Sequence, residues 1–163
     1  MDAARSARLG VALIEQPYRV AGRRTPAPPN QLDAAWIAVV SQLCAGPLRG
    51  VPILTGGRSL GARVACRTAT KTNSVAVLCL AFPLHPPGRP EKSRLPELDS
   101  VKVPTLVVQG ESDPFGMPPN APSRTVATIP GTHSLKNTTI VAAAVSEWLA
   151  TLLPTVSEGP ESS

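Results

Sequence analysis

Aromatic side chains are scarce: two Trp, one Tyr and two Phe, 3% of 163 residues. An RNA-reading sheet needs more stacking surface than that, and any core must rest on Ala, Val and Leu. Cysteine is equally sparse. Cys44, Cys66 and Cys79 cannot all pair, and no CxxC spacing occurs. Cys66 and Cys79 lie in apolar contexts and read as small core residues of a protein kept in a reducing, cytoplasmic setting. With two histidines, no plausible metal cluster forms. Long hydrophobic runs are missing. The longest, Val75 to Phe82, is far below a membrane span, so no membrane partner is expected. The apolar run from Leu9 to Ile14 is short and meets Glu15, unlike a secretory leader.

The charge is +5 and the pI about 9.6. A nucleic-acid binder concentrates its basic residues on one face or in one run. Here they are scattered, and the longest basic run is Arg23-Arg24. The charge reads as a solvated arginine-rich surface, and no nucleic-acid partner is expected. The length suits one domain, and 42% hydrophobic with 17% charged residues fits a globular chain. Residues 1–153 read as that domain, after which the polar stretch 154–163 reads as a disordered tail.

Residues 1–8 are helix-compatible. Val11–Ile14 is a short apolar run expected as a buried strand, stopped near Pro17. After a Pro- and Arg-rich connection, Gln31 to Cys44 is expected as a helix capped by Asn30. Its apolar positions Leu32, Ala35, Trp36, Val39, Val40 and Leu43 recur at helical spacing. Val51–Thr55 is expected as a second strand, followed by Gly56-Gly57 and a helix from Ser59 to Thr70. Val75–Leu80, Thr105–Gln109 and Thr125–Ile129 read as further strands. The proline-rich residues 82–100 read as loop, and Thr138 to Leu153 as a closing helix. Apolar strands alternating with helices imply an α/β fold: a mostly parallel sheet covered by helices on both faces. In such sheets chemistry sits past the carboxyl ends of the strands.

Gly57-Arg58-Ser59-Leu60-Gly61 after the second expected strand matches G-x-S-x-G, the nucleophile elbow. A tight strand-to-helix turn lifts the serine Oγ clear of the sheet. Side chains at the two glycines, Gly57 and Gly61, are expected to collide with neighbouring backbone. The helix start then aims free N–H groups, that of Leu60 among them, at a developing oxyanion. Chance produces this pattern in roughly 5% of chains of this length, but here it ends a strand and opens a helix. A serine nucleophile needs a base, and the base an orienting acid. Asp113 follows the fourth expected strand and His133 the fifth, in the order Ser, Asp, His. Glu111 is the alternative acid. His85 reads as loop surface, Ser134 lacks an elbow, and the cysteines lie within elements rather than on exposed turns.

Residues 56–63 (Gly-Gly-Arg-Ser-Leu-Gly-Ala-Arg) resemble the elbow of small bacterial α/β-hydrolases of the dienelactone-hydrolase-like type. These are related to the testis-expressed and NSL-complex-subunit hydrolase-like proteins. Glu15–Arg19, Phe82–Gly88, Pro104–Gly116 and Gly131–Lys136 are similar to further family segments, and the likeness covers residues 9–153. It implies Ser59 as nucleophile, Asp113 as acid and His133 as base. The implied reaction is hydrolysis of an ester or related acyl bond in a small-molecule substrate, esterase-like and without a cofactor. Family members begin with further strands before Val11, one of them followed by a His-Gly-rich loop that gives a second oxyanion donor. No such segment precedes the elbow here. The resemblance therefore implies a sheet lacking N-terminal strands, with an open edge that would favour association. Related eukaryotic proteins are discussed as scaffolds, so a catalytically silent binding protein is the alternative. The pocket would draw on residues 15–30, 82–100 and 114–122, with Tyr18, Arg19, Phe82 and Phe115 as lining candidates.

Overall fold

The computed structural model describes residues 9–152. The helix-compatible start at 1–8 and the tail at 154–163 lie outside the described residues. Nine elements follow in order: α1 (Pro17–Val20), α2 (Pro29–Ala45), β1 (Leu54–Arg58), α3 (Leu60–Thr68), β2 (Ala76–Leu80), α4 (Leu95–Asp99), β3 (Thr105–Gly110), β4 (Arg124–Ile129) and α5 (Thr138–Leu152). The four strands form one sheet in the order β1-β2-β3-β4, and every pairing is parallel.

Alternation of side chains along each strand builds two cores. Val77, Cys79 and Val107 face Ala62, Ala65 and Cys66 of α3, together with Phe82, Leu98 and Val101. Ala76, Leu106, Val108 and Ile129 face Val145, Trp148 and Leu149 of α5. The sheet is thus covered on both faces, as the pattern implies. All six residues of β3 are buried, which fits the apolar run Leu106–Val108 at its centre. α2 packs outside α3. Arg67 of α3 forms a two-bond pair with Asp33 of α2 at 2.6 and 2.8 Å, and Arg63 a matching pair with Glu97 of α4 at 2.6 and 2.9 Å.

Four expectations need correction. Val11–Ile14 is not a strand, and its Leu13 is 81% exposed. An extended segment becomes a strand only beside a neighbour that takes its hydrogen bonds, and among the described residues β1 pairs with β2 alone. The elbow strand starts at Leu54, not Val51, and runs through both glycines to Arg58. Its pairing is Leu54 with Ala76 through Arg58 with Leu80. Asn30 is not the cap of α2. Pro28 holds that position, with φ −53°, and Pro29 and Asn30 lie in the first turn. Residues 82–100 are not all loop, because α4 forms with Pro96 in its first turn.

Candidate active site

Parallel strands bring their carboxyl ends to one edge, so the loops after β1, β3 and β4 meet there. Ser59 stands between β1 and α3 with φ 51° and ψ −111°. For a non-glycine residue this backbone costs on the order of 1–3 kcal/mol and persists only where its surroundings impose it. Here the Ser59 N–H donates to Leu80 O at 2.9 Å, and Ser59 O accepts from Arg63 N–H at 3.3 Å. Gly57 is required sterically: a Cβ there would lie 2.4 Å from the Gly61 carbonyl carbon. The second elbow glycine departs from expectation, since a Cβ at Gly61 would meet nothing within 4 Å. Gly61 contributes its backbone, which passes close over Gly57. Leu60 is the first residue of α3. Its N–H belongs to the first turn, whose donors have no partner within the helix.

The structure brings the three predicted side chains into one chain of hydrogen bonds. Ser59 Oγ lies 2.9 Å from His133 Nε2, and His133 Nδ1 lies 2.8 Å from Asp113 Oδ2. A carboxylate only accepts, so Nδ1 carries the proton toward Asp113 and Nε2 is left to accept from the Ser59 hydroxyl. The Asp113 side chain is 1% exposed and that of His133 21%. Asp113 Oδ1 also accepts from the Phe115 N–H at 2.9 Å. The Phe115 ring packs on the imidazole, centroids 4.3 Å apart and planes tilted 40°. Gly110, at the end of β3, lets the histidine loop pass. A Cβ there would sit 2.6 Å from the carbonyl oxygens of Gly131 and Thr132.

The other candidates sort clearly. Glu111 is exposed, and the buried carboxylate beside His133 is that of Asp113. His85 is not loop surface. It is half-buried, its Nδ1 is 2.9 Å from Pro86 O, its N–H donates to Phe115 O, and its ring lies against Gly116. Phe82 cannot line a pocket, being fully buried under α3. Tyr18 lines a cavity of about 490 Å³ with Arg23, Arg24 and Gln31; Ser59, Asp113 and His133 are not among its lining residues. Cys66 and Cys79 are buried with their Sγ atoms 3.4 Å apart. The hydrogen bond with Cys66, burial and the nearby Cys66 charge push the Cys79 thiol well up, against a smaller pull from Arg124.

Two residues near the site escaped the sequence reading. Arg58, inside the elbow motif, donates through Nη2 to His133 O at 3.2 Å and Ser134 O at 2.8 Å, tying the elbow to the histidine loop. Gln109 is fully buried at the end of β3 and donates to Asp113 Oδ2 at 2.8 Å. The signal for Gln109 was present: a polar residue closes an otherwise apolar buried strand, Thr-Leu-Val-Val-Gln. A buried polar group needs a partner. Nothing comparable marks Arg58, whose partners are backbone carbonyls 75 and 76 positions away.

Solved structures share this arrangement of elements. A putative α/β-superfamily hydrolase from Xanthomonas campestris superposes with a TM-score of 0.65 at 18% identity, over 92% of this chain and 86% of that one. A second protein of that organism, described as an α/β serine hydrolase without a lid, gives 0.63 at 19% identity over 81% and 62%. An α/β serine hydrolase homologue from Coxiella burnetii gives 0.56 at 15% identity over 77% and 62%. This chain therefore spans less than two thirds of the length of the last two. At these identities the likeness speaks for the fold. Residues 2–141 match the family described as alpha/beta hydrolase domain, and with most of its length in that match the chain belongs to the α/β-hydrolase family.

Proposed function

We propose that this chain is a serine hydrolase of small acyl substrates, esters or related acyl bonds. The reading is carried by one observation: the unbroken hydrogen-bond chain from Ser59 through His133 to buried Asp113. In this reading Ser59 Oγ attacks the acyl carbonyl carbon while His133 Nε2 takes its proton. Asp113 holds the imidazole in the tautomer that accepts, and steadies the imidazolium that forms. The Leu60 N–H donates to the oxyanion. On collapse, the imidazolium returns its proton to the leaving group and an acyl-Ser59 remains. Water, deprotonated by His133, then releases the acid and restores the serine. The sequence of steps uses no cofactor. A structure similar to this one at a TM-score of 0.50 is described as a thioesterase domain from the curacin biosynthetic pathway, so acyl thioesters belong among the trial substrates. Three free thiols fit a cytoplasmic setting for this enzyme.

A second reading, a silent hydrolase-fold binding protein, draws on the position of β1. The elbow strand is the sheet edge among the described residues. Among the described residues the Leu60 N–H is the one oxyanion donor proposed, and a site working with one such donor fewer turns over on the order of 100- to 1000-fold more slowly. Labelling with a fluorophosphonate separates the two. The hydrolase reading expects the chain to be labelled and Ser59→Ala to abolish labelling with the folded signal unchanged. A folded chain that resists the probe would leave the silent reading in place.

A further inference from the structure

Gln109 is among the largest fully buried side chains and is polar. Its Nε2 lies 2.8 Å from Asp113 Oδ2, 2.8 Å from Gly116 O and 3.1 Å from Phe82 O. Three acceptors surround the nitrogen, so the opposite amide orientation would press oxygen against oxygen. The orientation is therefore fixed by chemistry. The amide oxygen, by contrast, is buried without a partner among the described residues. Leaving a buried acceptor unpaired is unfavourable, so a residue chosen for packing alone would be apolar here. What the amide supplies is its two N–H groups, and these go to the oxygen that also accepts from His133 and to backbone of the loops on either side. Phe82 belongs to the loop after β2, and Gly116 to the loop that carries Asp113.

We propose that Gln109 is the positioning residue of this site. Its amide fixes the angle at which the Asp113 carboxylate meets His133 Nδ1, and it clips the loops after β2 and β3 together around that carboxylate. Phe115, whose N–H holds the other Asp113 oxygen and whose ring packs on His133, is set by the same loop. The His85 N–H, donating to Phe115 O at 3.0 Å, closes the bracing from the β2 side. Gln109 touches no reacting atom and acts through Asp113. The inference rests on the hydrolase reading for its catalytic consequence, but not for its geometry.

The test compares the full chain with Gln109→Met, which keeps length and loses both donors. Fluorophosphonate labelling of Ser59, and kcat on a short-chain chromogenic ester, are expected to fall roughly ten-fold or more, the rate equivalent of one hydrogen bond to a charged group. KM should stay within about two-fold, since no substrate contact is removed. With two histidines in the chain, the His133 Nδ1 proton is readily assigned by NMR. Its resonance should shift or broaden in Gln109→Met, a change that loosened packing elsewhere would not produce. A folded Gln109→Met with unchanged labelling and an unchanged resonance overturns the proposal. If the parent chain is not labelled, the hydrolase reading fails, and the resonance still decides the role of Gln109. Should Gln109→Met not fold, the parent chain decides: slow solvent exchange of the Gln109 side-chain amide is expected, and fast exchange overturns the proposal.

Discussion

A methyl group has room at Gly61 and none at Gly57, although both glycines belong to one motif. Gly57→Ala forces backbone against backbone, where nothing can give as a flexible side chain would. A melting experiment should show it destabilised by about 1–3 kcal/mol, with Ser59 labelling lost. Gly61→Ala replaces a glycine near the start of α3 by a better helix former, so its melting point should equal or exceed that of the parent. Equal behaviour of the two variants would mean the elbow is built differently. At the same scale, Asp113→Asn keeps the shape, but one amide orientation sets its NH2 against the Phe115 N–H, and the other offers His133 Nδ1 a donor instead of an acceptor. The wrong imidazole tautomer is then favoured, and turnover should drop by roughly 1,000- to 10,000-fold. Glu111→Gln, altering an exposed carboxylate outside the chain of bonds, should leave turnover within about two-fold.

Between elements, α3 is held by charge on its outer side and by small side chains against the sheet. Glu97 of α4 accepts from Arg63 twice and from Arg67 at 3.4 Å. Arg94 lies close enough that burial, with the Arg63 charge, lowers its affinity for a proton, while Glu97 works the other way. Glu97→Ala therefore strips Arg63 of its partner beside the Arg94 charge, while Arg67 keeps its pair with Asp33. The side chains of Arg63 and Glu97 are 18% exposed, so screening is incomplete, and urea unfolding should report a loss of about 1–3 kcal/mol. The inner side of α3 carries the thiol pair. Because the Cys79 thiol is pushed well up, its thiolate is depleted at neutral pH, and reaction with iodoacetamide needs that thiolate. Mass spectrometry should find Cys44, which is half-buried in α2, alkylated in the native chain. Cys66 and Cys79 should react only after unfolding. Early alkylation of Cys79 would contradict its burial.

The meeting of Ser59, Asp113 and His133 at one edge was legible because each follows a strand, and parallel strands deliver such residues to one edge. Ser59 was marked by the elbow motif at a strand end, and Asp113 and His133 by strand position and chain order. What remained hidden depended on neighbours that a sequence does not name. Val11–Ile14 has the composition of a strand but no pairing partner among the described residues. Gly56 and Gly57 have poor β-propensity, which concealed that β1 extends through them under the pull of its pairing with β2. His85 looked like surface because its contacts come from the loop after β3.

The sheet order also sets which part of the site yields first. Among the described residues, β2 and β3 are hydrogen-bonded on both sides, whereas β1 and β4 are bonded to a neighbouring strand on one. Local opening follows burial and pairing, so protection of backbone N–H groups should differ by strand. Amides of Leu106, Val107 and Val108, buried in a strand paired on both sides, should exchange most slowly, near the rate set by global unfolding. Those of Leu54 to Arg58 should exchange faster, through opening of the edge, and those of Val11 to Ile14 fastest. Asp113 and His133 are carried by loops after β3 and β4, while Ser59 hangs on β1. Opening of that edge would therefore separate the serine from an intact Asp–His pair. An acyl substrate analogue that bonds to Ser59 and reaches the His133 loop should slow exchange in β1 more than in β3. Uniform slowing across the sheet would instead place the elbow in the same cooperative unit as the centre.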